Sequence, residues 1–200
     1  MKWSLFGIVA LAWGLFSLQS TAIAQPALVV KTLTERKVAV LPAGRPRLYW
    51  RVENFPTLAQ AQAAAGPMGL AAESGGRVWL FTLGPAGGSS AGGTKVADIG
   101  PLPAVVAREY LLRINEASGA PGSITTVHSH PGSEAFYVLS GEQTIRTAQG
   151  VIRVGTGKGE AGPGGGTALQ VSSSGSTGLL ALVMFVVDAT QPFSSPATFP

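Results

Sequence analysis

Cysteine is absent from the chain. That excludes disulfides, thiol catalysis and a lipid anchor on a cysteine. Charge is sparse: 14 Lys and Arg stand against 10 Asp and Glu. The net charge of +4 therefore rests on few groups, and no dense basic face marks a nucleic-acid ligand. Histidine is nearly absent, with two residues in 200. Long uninterrupted helical patterns are missing too. The 27 Gly and 14 Pro cut the chain into short elements, the composition of an all-β protein rich in loops. What the chain has is apolar content: 46% of residues are hydrophobic, enough for a core.

The first residues have their own pattern. Lys2 precedes an uncharged, mostly apolar run over 3–18, then Gln19-Ser20-Thr21 and Ala22-Ile23-Ala24. This is the three-part layout of a secretory signal peptide with an A-x-A cleavage site before Gln25. The run is short for a bilayer span of ~20 residues. The expectation is a cleaved leader over 1–24 and a periplasmic or secreted mature protein, with no membrane association after cleavage.

Beyond the leader, strands are expected over 27–40, 48–52 and 77–83. A single short helix is expected over 57–65, where Pro56 and Thr57 open an alanine-rich run that Gly66-Pro67 ends. The stretch 84–94 (GPAGGSSAGGT) reads as a flexible loop. The second half is more regular, with strands over 108–114, 124–130, 134–139, 143–147, 151–154, 168–172 and 179–187. A glycine-rich loop covers 155–166. Short strands at close spacing point to a sandwich or barrel. The division expected is an N-terminal β-rich extension over 25–105, a barrel over 106–190 and a loose Pro/Ser-rich tail over 191–200. A second, motif-less barrel in the N-terminal half is the alternative to an extension.

Both histidines fall in one stretch, GSITTVHSHPGSEAFYVLSG, from Gly122 to Gly141. In a strand, residues i and i+2 face one side, so His128 and His130 project together. Pro131-Gly132-Ser133 turns the chain, and Glu134 returns to face the same point. Two imidazoles and one carboxylate make the 2-His-1-carboxylate donor set, which leaves coordination positions open for water, O₂ or a substrate. An isolated H-x-H pair also occurs on solvated edge strands. Phe136 and Val138 share the parity of Glu134 and can wall a cavity, and Tyr137 points the other way. Arg113 and Arg146 can bind an anion if they face inward. Met184 and Phe185 read as core.

The full spacing, G-x5-H-x-H-x3-E-x6-G, resembles the first signature motif of the cupin superfamily at every defined position. Gly157, Pro163 and Gly165 match part of that family's second motif, G-x5-P-x-G-x2-H-x3-N. Ala168 stands where its histidine belongs, and Ser172 where its asparagine belongs. The resemblance spans residues 108–187. It implies a cupin jelly-roll β-barrel, here with an N-terminal strand extension and one short helix. It also implies a divalent transition metal (Fe, Mn, Zn, Ni or Cu) on His128, His130 and Glu134, with Gln170 or Glu160 as conceivable substitutes for the missing histidine. The implied activity is that of a metal-dependent oxygenase or isomerase acting on a small molecule. The alternative is a non-catalytic ligand-binding module with a degenerate metal site. The expected partner is a small-molecule ligand or substrate, with pairing into a homodimer as the family often shows.

Overall fold

The computed structural model describes residues 25–42 and 47–200. The leader expected over 1–24 lies outside the described residues. In chain order the elements are β1 (Val29–Val38), β2 (Tyr49–Phe55), α1 (Leu58–Ala64), β3 (Gly69–Ser74), β4 (Arg77–Gly84), β5 (Thr94–Ile99) and β6 (Tyr110–Gly119). There follow β7 (His128–Ser129), β8 (Gly132–Ser140), β9 (Glu142–Thr147), β10 (Gly150–Gly155), β11 (Gly159–Ala161), β12 (Leu169–Ser173), β13 (Leu179–Asp188) and β14 (Ser195–Pro196).

Strands β6 to β13 pair as one long hairpin with its tip at β9–β10. Outward from the tip, β8 pairs with β11, β7 with β12 and β6 with β13. Rolled up, the hairpin deals its strands into two sheets containing the orders β6-β13-β8-β11 and β10-β9-β12-β7. This is the jelly roll. Strand β1 lengthens the first sheet beside β6, and β14 lengthens the second beside β7. The turn between β8 and β9 depends on Gly141, whose φ is +76°. A Cβ there would stand 2.7 Å from the Gly178 carbonyl oxygen, so only glycine closes this turn without displacing the facing loop.

Strands β2 to β5 form a third, open sheet in the order β3-β4-β2-β5. It lies on the outer face of the β6-containing sheet: Trp50, Val52, Trp79 and Phe81 share one core with Leu112, Ile114, Tyr137, Leu182 and Met184. The opposite residues of the same barrel strands, Phe136, Val138, Val183 and Phe185, pack inside the barrel against Ile145, Leu169 and Val171. On the far side of the third sheet, Ala61 of α1 meets Phe55 and Leu80. The molecule is thus four layers deep. Because the β6-containing sheet is covered on both faces, β8 and β13 are buried at consecutive positions. That is why AFYVL and LLALVMFVV read as unbroken apolar runs rather than as alternating ones. Tyr137 does point out of the barrel, as its parity requires, but it ends under Trp79 at 6.0 Å between ring centres and not in solvent.

The helix stands where the sequence places it. Thr57 is its N-cap and accepts a hydrogen bond from the Gln60 amide at 3.3 Å, and Ala65 is its C-cap. Four strands lie where none was expected: β3, β5, β11 within the glycine-rich loop and β14 within the tail. β3 (GLAAES) is built of weak strand formers, and its pairing with β4 follows from the two-residue turn at Gly75-Gly76, both at positive φ (58° and 70°). That conformation is what a tight type I′ hairpin needs. β5 sits on the edge of the third sheet beside β2. The stretch 84–94, expected to be flexible, is clasped from beneath. Glu53, fully buried on β2, accepts from the Ser90 amide at 2.7 Å, from the Ser90 hydroxyl at 2.7 Å and from Arg51 Nε at 3.0 Å.

The tail over 191–200 is not loose. Ser195 pairs with Ser129 and Pro196 with His128, and the Ala197 amide donates to the Val127 carbonyl at 3.1 Å. Proline is tolerated here because β14 is a sheet edge. Two aromatic residues add to the docking: Phe193 packs on Phe185 at 4.9 Å, and Phe199 lies under the Arg146 guanidinium at 4.6 Å.

Candidate metal and ligand site

The turn from β7 to β8 brings His130 and Glu134 to one wall of a cavity of about 720 Å³ inside the barrel. His128 lies on the same wall. The Nε2 of His130 stands 4.0 Å from Glu134 Oε2. The two imidazole centres are 5.0 Å apart, with the rings nearly perpendicular at 85°. Strand parity accounts for this grouping, since Glu134 and Phe136 face inward while Ala135 and Tyr137 face the third sheet.

The glycine-rich loop after β10 buttresses this turn through its backbone. The Gly162 amide donates to the Glu134 carbonyl at 2.8 Å, and the Gly166 amide donates to the His130 carbonyl at 2.8 Å. A Cβ on Gly162 would meet Glu134 Cγ at 2.6 Å, so a side chain at that position would displace the carboxylate. Glu160 lies on β11 and is exposed, away from the cavity. Gln170 reaches the cavity wall, but its Nε2 is committed to the Thr125 carbonyl at 3.0 Å. The inward residues of β12 are its neighbours Leu169 and Val171. Ala168 is half-buried beside this strand.

Each histidine is fixed by a main-chain oxygen. His128 Nδ1 bonds to the Thr126 carbonyl at 2.8 Å, and His130 Nδ1 to the Phe193 carbonyl at 2.7 Å. A carbonyl only accepts, so Nδ1 donates in both rings, and in the neutral form of each ring Nε2 is left with its lone pair. His130 is held neutral over a wide range: its pKa is pushed down to about 4, first by burial, against the raising effect of the Phe193 bond and with lesser lowering electrostatic effects from the neighbouring His128 and Arg113. Burial pushes Glu134 up to about 8.

The donor set suits a divalent transition metal. Two donors each about 2.1 Å from one ion stand roughly 3–4 Å apart, and the His130–Glu134 separation lies in that span. Neutral imidazole nitrogens and a carboxylate are ligands that Fe, Mn, Zn, Ni and Cu accept. Among the described residues, no three His, Asp or Glu side chains are already gathered as a metal-holding group.

Arg113 faces inward but is engaged. It pairs with Glu35 at 2.6 Å and lies 4.0 Å over the Phe193 ring. Two site residues escaped the sequence reading. Phe193 belongs to the tail, yet it packs on His130 at 4.8 Å and lines the cavity. Asn115 lines the cavity from β6, only 3% exposed, and its Oδ1 has no hydrogen-bond partner. An asparagine within the run YLLRINEAS, at the parity of Leu111 and Ala117, was the available signal for it. Phe185, expected as core, also stacks on His130 at 4.8 Å.

Two facing sheets in this strand order, with the histidine turn between β7 and β8, make a jelly-roll barrel, the fold that the motif spacing implies. No protein-family model and no curated protein sequence matches the chain. Solved structures that match include cupin proteins. A cupin-like protein from Thermotoga maritima is 15% identical with a TM-score of 0.39, over 44% of this chain and 65% of that one. An RmlC-like cupin family protein with a double-stranded β-helix fold, from Methanocaldococcus jannaschii, is 18% identical with a TM-score of 0.34, over 36% and 67%. A DMSP lyase from Ruegeria pomeroyi is 20% identical with a TM-score of 0.37, over 43% of each chain.

Proposed function

We propose that this is an exported cupin that holds one divalent transition metal through His128 Nε2, His130 Nε2 and the Glu134 carboxylate, and acts on a small organic molecule bound in the barrel. The observation that carries the reading is the pair of Nδ1 bonds to main-chain carbonyls. It gives both imidazoles the ligand-ready tautomer and orients them before any ion arrives. When bound, the metal supplies Lewis-acid polarisation of a substrate oxygen or a redox centre for O₂.

The protein's own groups do the rest. The Phe193 and Thr126 carbonyls keep the rings from turning. Phe136, Phe185 and Phe193 exclude water from the inner wall. Glu134 holds a proton in the absence of an ion, and its release accompanies coordination. Export rests on the Lys2–Ala24 pattern, and the oxygenase and isomerase classes both stay within this reading. A second reading, a ligand-binding module without a metal, is favoured by one observation: the three side chains are not gathered in advance.

The test is metal content of the protein expressed with its own leader, beside the double variant His128→Ala/His130→Ala. About one equivalent of a transition metal, lost in the double variant, is expected, on a chain whose first residue is Gln25. Metal-free protein that takes up no added Fe, Mn, Zn, Ni or Cu overturns the metal centre in favour of the ligand-binding module. A retained leader overturns export.

A further inference from the structure

The cavity wall carries a polar group that the metal centre does not use. Asn115 sits on β6, across β13 from Phe136: the register places Val183 opposite both residues. Its backbone is thus two strands from that of Phe136, roughly 10 Å away. On its other side Asn115 pairs with Thr32, where β1 carries a bulge between Thr32 and Thr34. Bulges recur next to sites where a side chain is re-aimed.

Asn115 shares the cavity wall with Leu28, Ile124, Phe136, Val171 and Val183. A primary amide in such surroundings normally finds a partner, because leaving one buried acceptor unpaired costs about 1–3 kcal/mol. Here Oδ1 is buried and unpaired. An isosteric leucine would avoid that cost, so the amide stands here at the expense of stability. That trade is typical of a binding residue.

A second feature bears on the ligand's charge. The residues lining the cavity include neither lysine nor arginine. Arg113, two positions before Asn115 on the same strand, is already paired with Glu35. Away from the proposed metal centre, a phosphate ester would find no cationic side chain on this wall to offset its burial.

We infer that Asn115 is a ligand-recognition residue, and that the cavity takes an apolar small molecule, not a phosphate ester, with a hydroxyl group that hydrogen-bonds the Asn115 amide. A hydroxyl both donates and accepts. It therefore satisfies the amide in either of its two orientations, which interchange by a half-turn of the side chain. The inference builds on the proposed small-molecule function but does not need the metal.

The test uses three probes of one shape, p-cresol, p-xylene and p-tolyl phosphate, with affinities measured by ligand-observed NMR on the purified protein and on Asn115→Leu. The wild-type protein is expected to bind p-cresol about tenfold more tightly than p-xylene, the worth of one satisfied hydrogen bond, and p-tolyl phosphate more weakly than either. Asn115→Leu is expected to lose the preference for p-cresol and to melt at or above the wild-type temperature. Asn115→Ser, which keeps a hydroxyl on the wall, covers the case in which the leucine variant does not fold, and is expected to restore part of the preference. Equal binding of cresol and xylene by the wild-type protein, an unchanged preference in both variants, tightest binding of the phosphate, or no binding of any probe each overturns the inference. Metal content is read on the same samples. Loss of metal with probe selectivity intact removes the metal centre alone, and metal without selectivity removes Asn115 alone.

Discussion

The Nδ1–H of His130 donates to the main-chain carbonyl of Phe193 at 2.7 Å, across 63 positions of sequence. The partner of a candidate ligand thus comes from the tail and not from the barrel. The Phe193 side chain adds a second tie, packing on His130 and Phe185 beneath Arg113. Removing residues 191–200 is expected to take away both the acceptor and the aromatic cover. Metal affinity should fall about 10–100-fold, as for other losses of an outer partner of a ligating histidine. Phe193→Ala keeps the carbonyl, so it should lower stability by about 2 kcal/mol, less than for a fully buried Phe, with a smaller loss of affinity. Metal titration and thermal melts of the two variants separate these effects. Equal affinity in the truncated and intact proteins would mean that the tail only covers the barrel.

Glu134 offers a complementary prediction. It is 3% exposed, and its carboxyl stands 4.0 Å from His130 Nε2, a ring held neutral. Glu134→Gln removes an ionisable group from an apolar wall while keeping its shape. The metal-free variant is expected to melt at or above the wild-type temperature, yet to bind added metal at least tenfold more weakly. A large drop in the melting temperature of the metal-free variant would show instead that the carboxyl is a structural member of the wall.

The parts of this site legible in sequence were the local ones. His128, His130 and Glu134 lie within seven positions, and strand parity alone puts Glu134, Phe136 and Val138 on one face. The jelly roll was legible through the motif spacing and the cadence of short strands. What was illegible depended on distant pairing. Asn115 becomes a buried, unpaired group only because β13 and β1 flank β6. The tail reads as Pro/Ser-rich filler until β7 offers it an edge. Strand β3 has almost no strand propensity of its own and exists because β4 and the third-sheet core hold it. The loop at 84–94 is held at Ser90 by a carboxylate 37 positions earlier, which no local pattern reports.

The third sheet and the barrel are expected to unfold as one unit. Trp79 is fully buried between them, stacks edge-on with Tyr137 and donates its Nε1–H to the Ser74 carbonyl at 2.9 Å. The core it belongs to continues into Leu182 and Met184 of the barrel. Trp79→Ala should cost about 3–5 kcal/mol and should lower the melting temperature of the whole molecule. Tryptophan fluorescence, from the third sheet, and far-UV circular dichroism, mostly from the barrel, should give coincident transitions in the wild-type protein. Two separated transitions would show that the sheet is docked and not fused into the core.

Glu53 is expected to contribute to the response to acid. Burial alone would raise its pKa, but the Ser90 amide, the Ser90 hydroxyl and Arg51 together hold it below the ordinary carboxylate value. Its folded pKa therefore lies below its unfolded one. The resulting stabilisation is fully present above the unfolded value, about 4.3 for a free glutamate, and is lost as pH falls through the folded value. The prediction is that wild-type stability, followed by urea denaturation between pH 7 and pH 3, drops more steeply below about pH 4 than that of Glu53→Gln. At pH 7 the Gln variant should be about 2–4 kcal/mol less stable, since Arg51 loses its charged partner and an amide cannot accept from all three donors at once. The variant should also free the 84–94 loop, which would show as faster proteolysis there. Parallel stability curves for the two proteins across that pH range would place the acid response on other carboxylates.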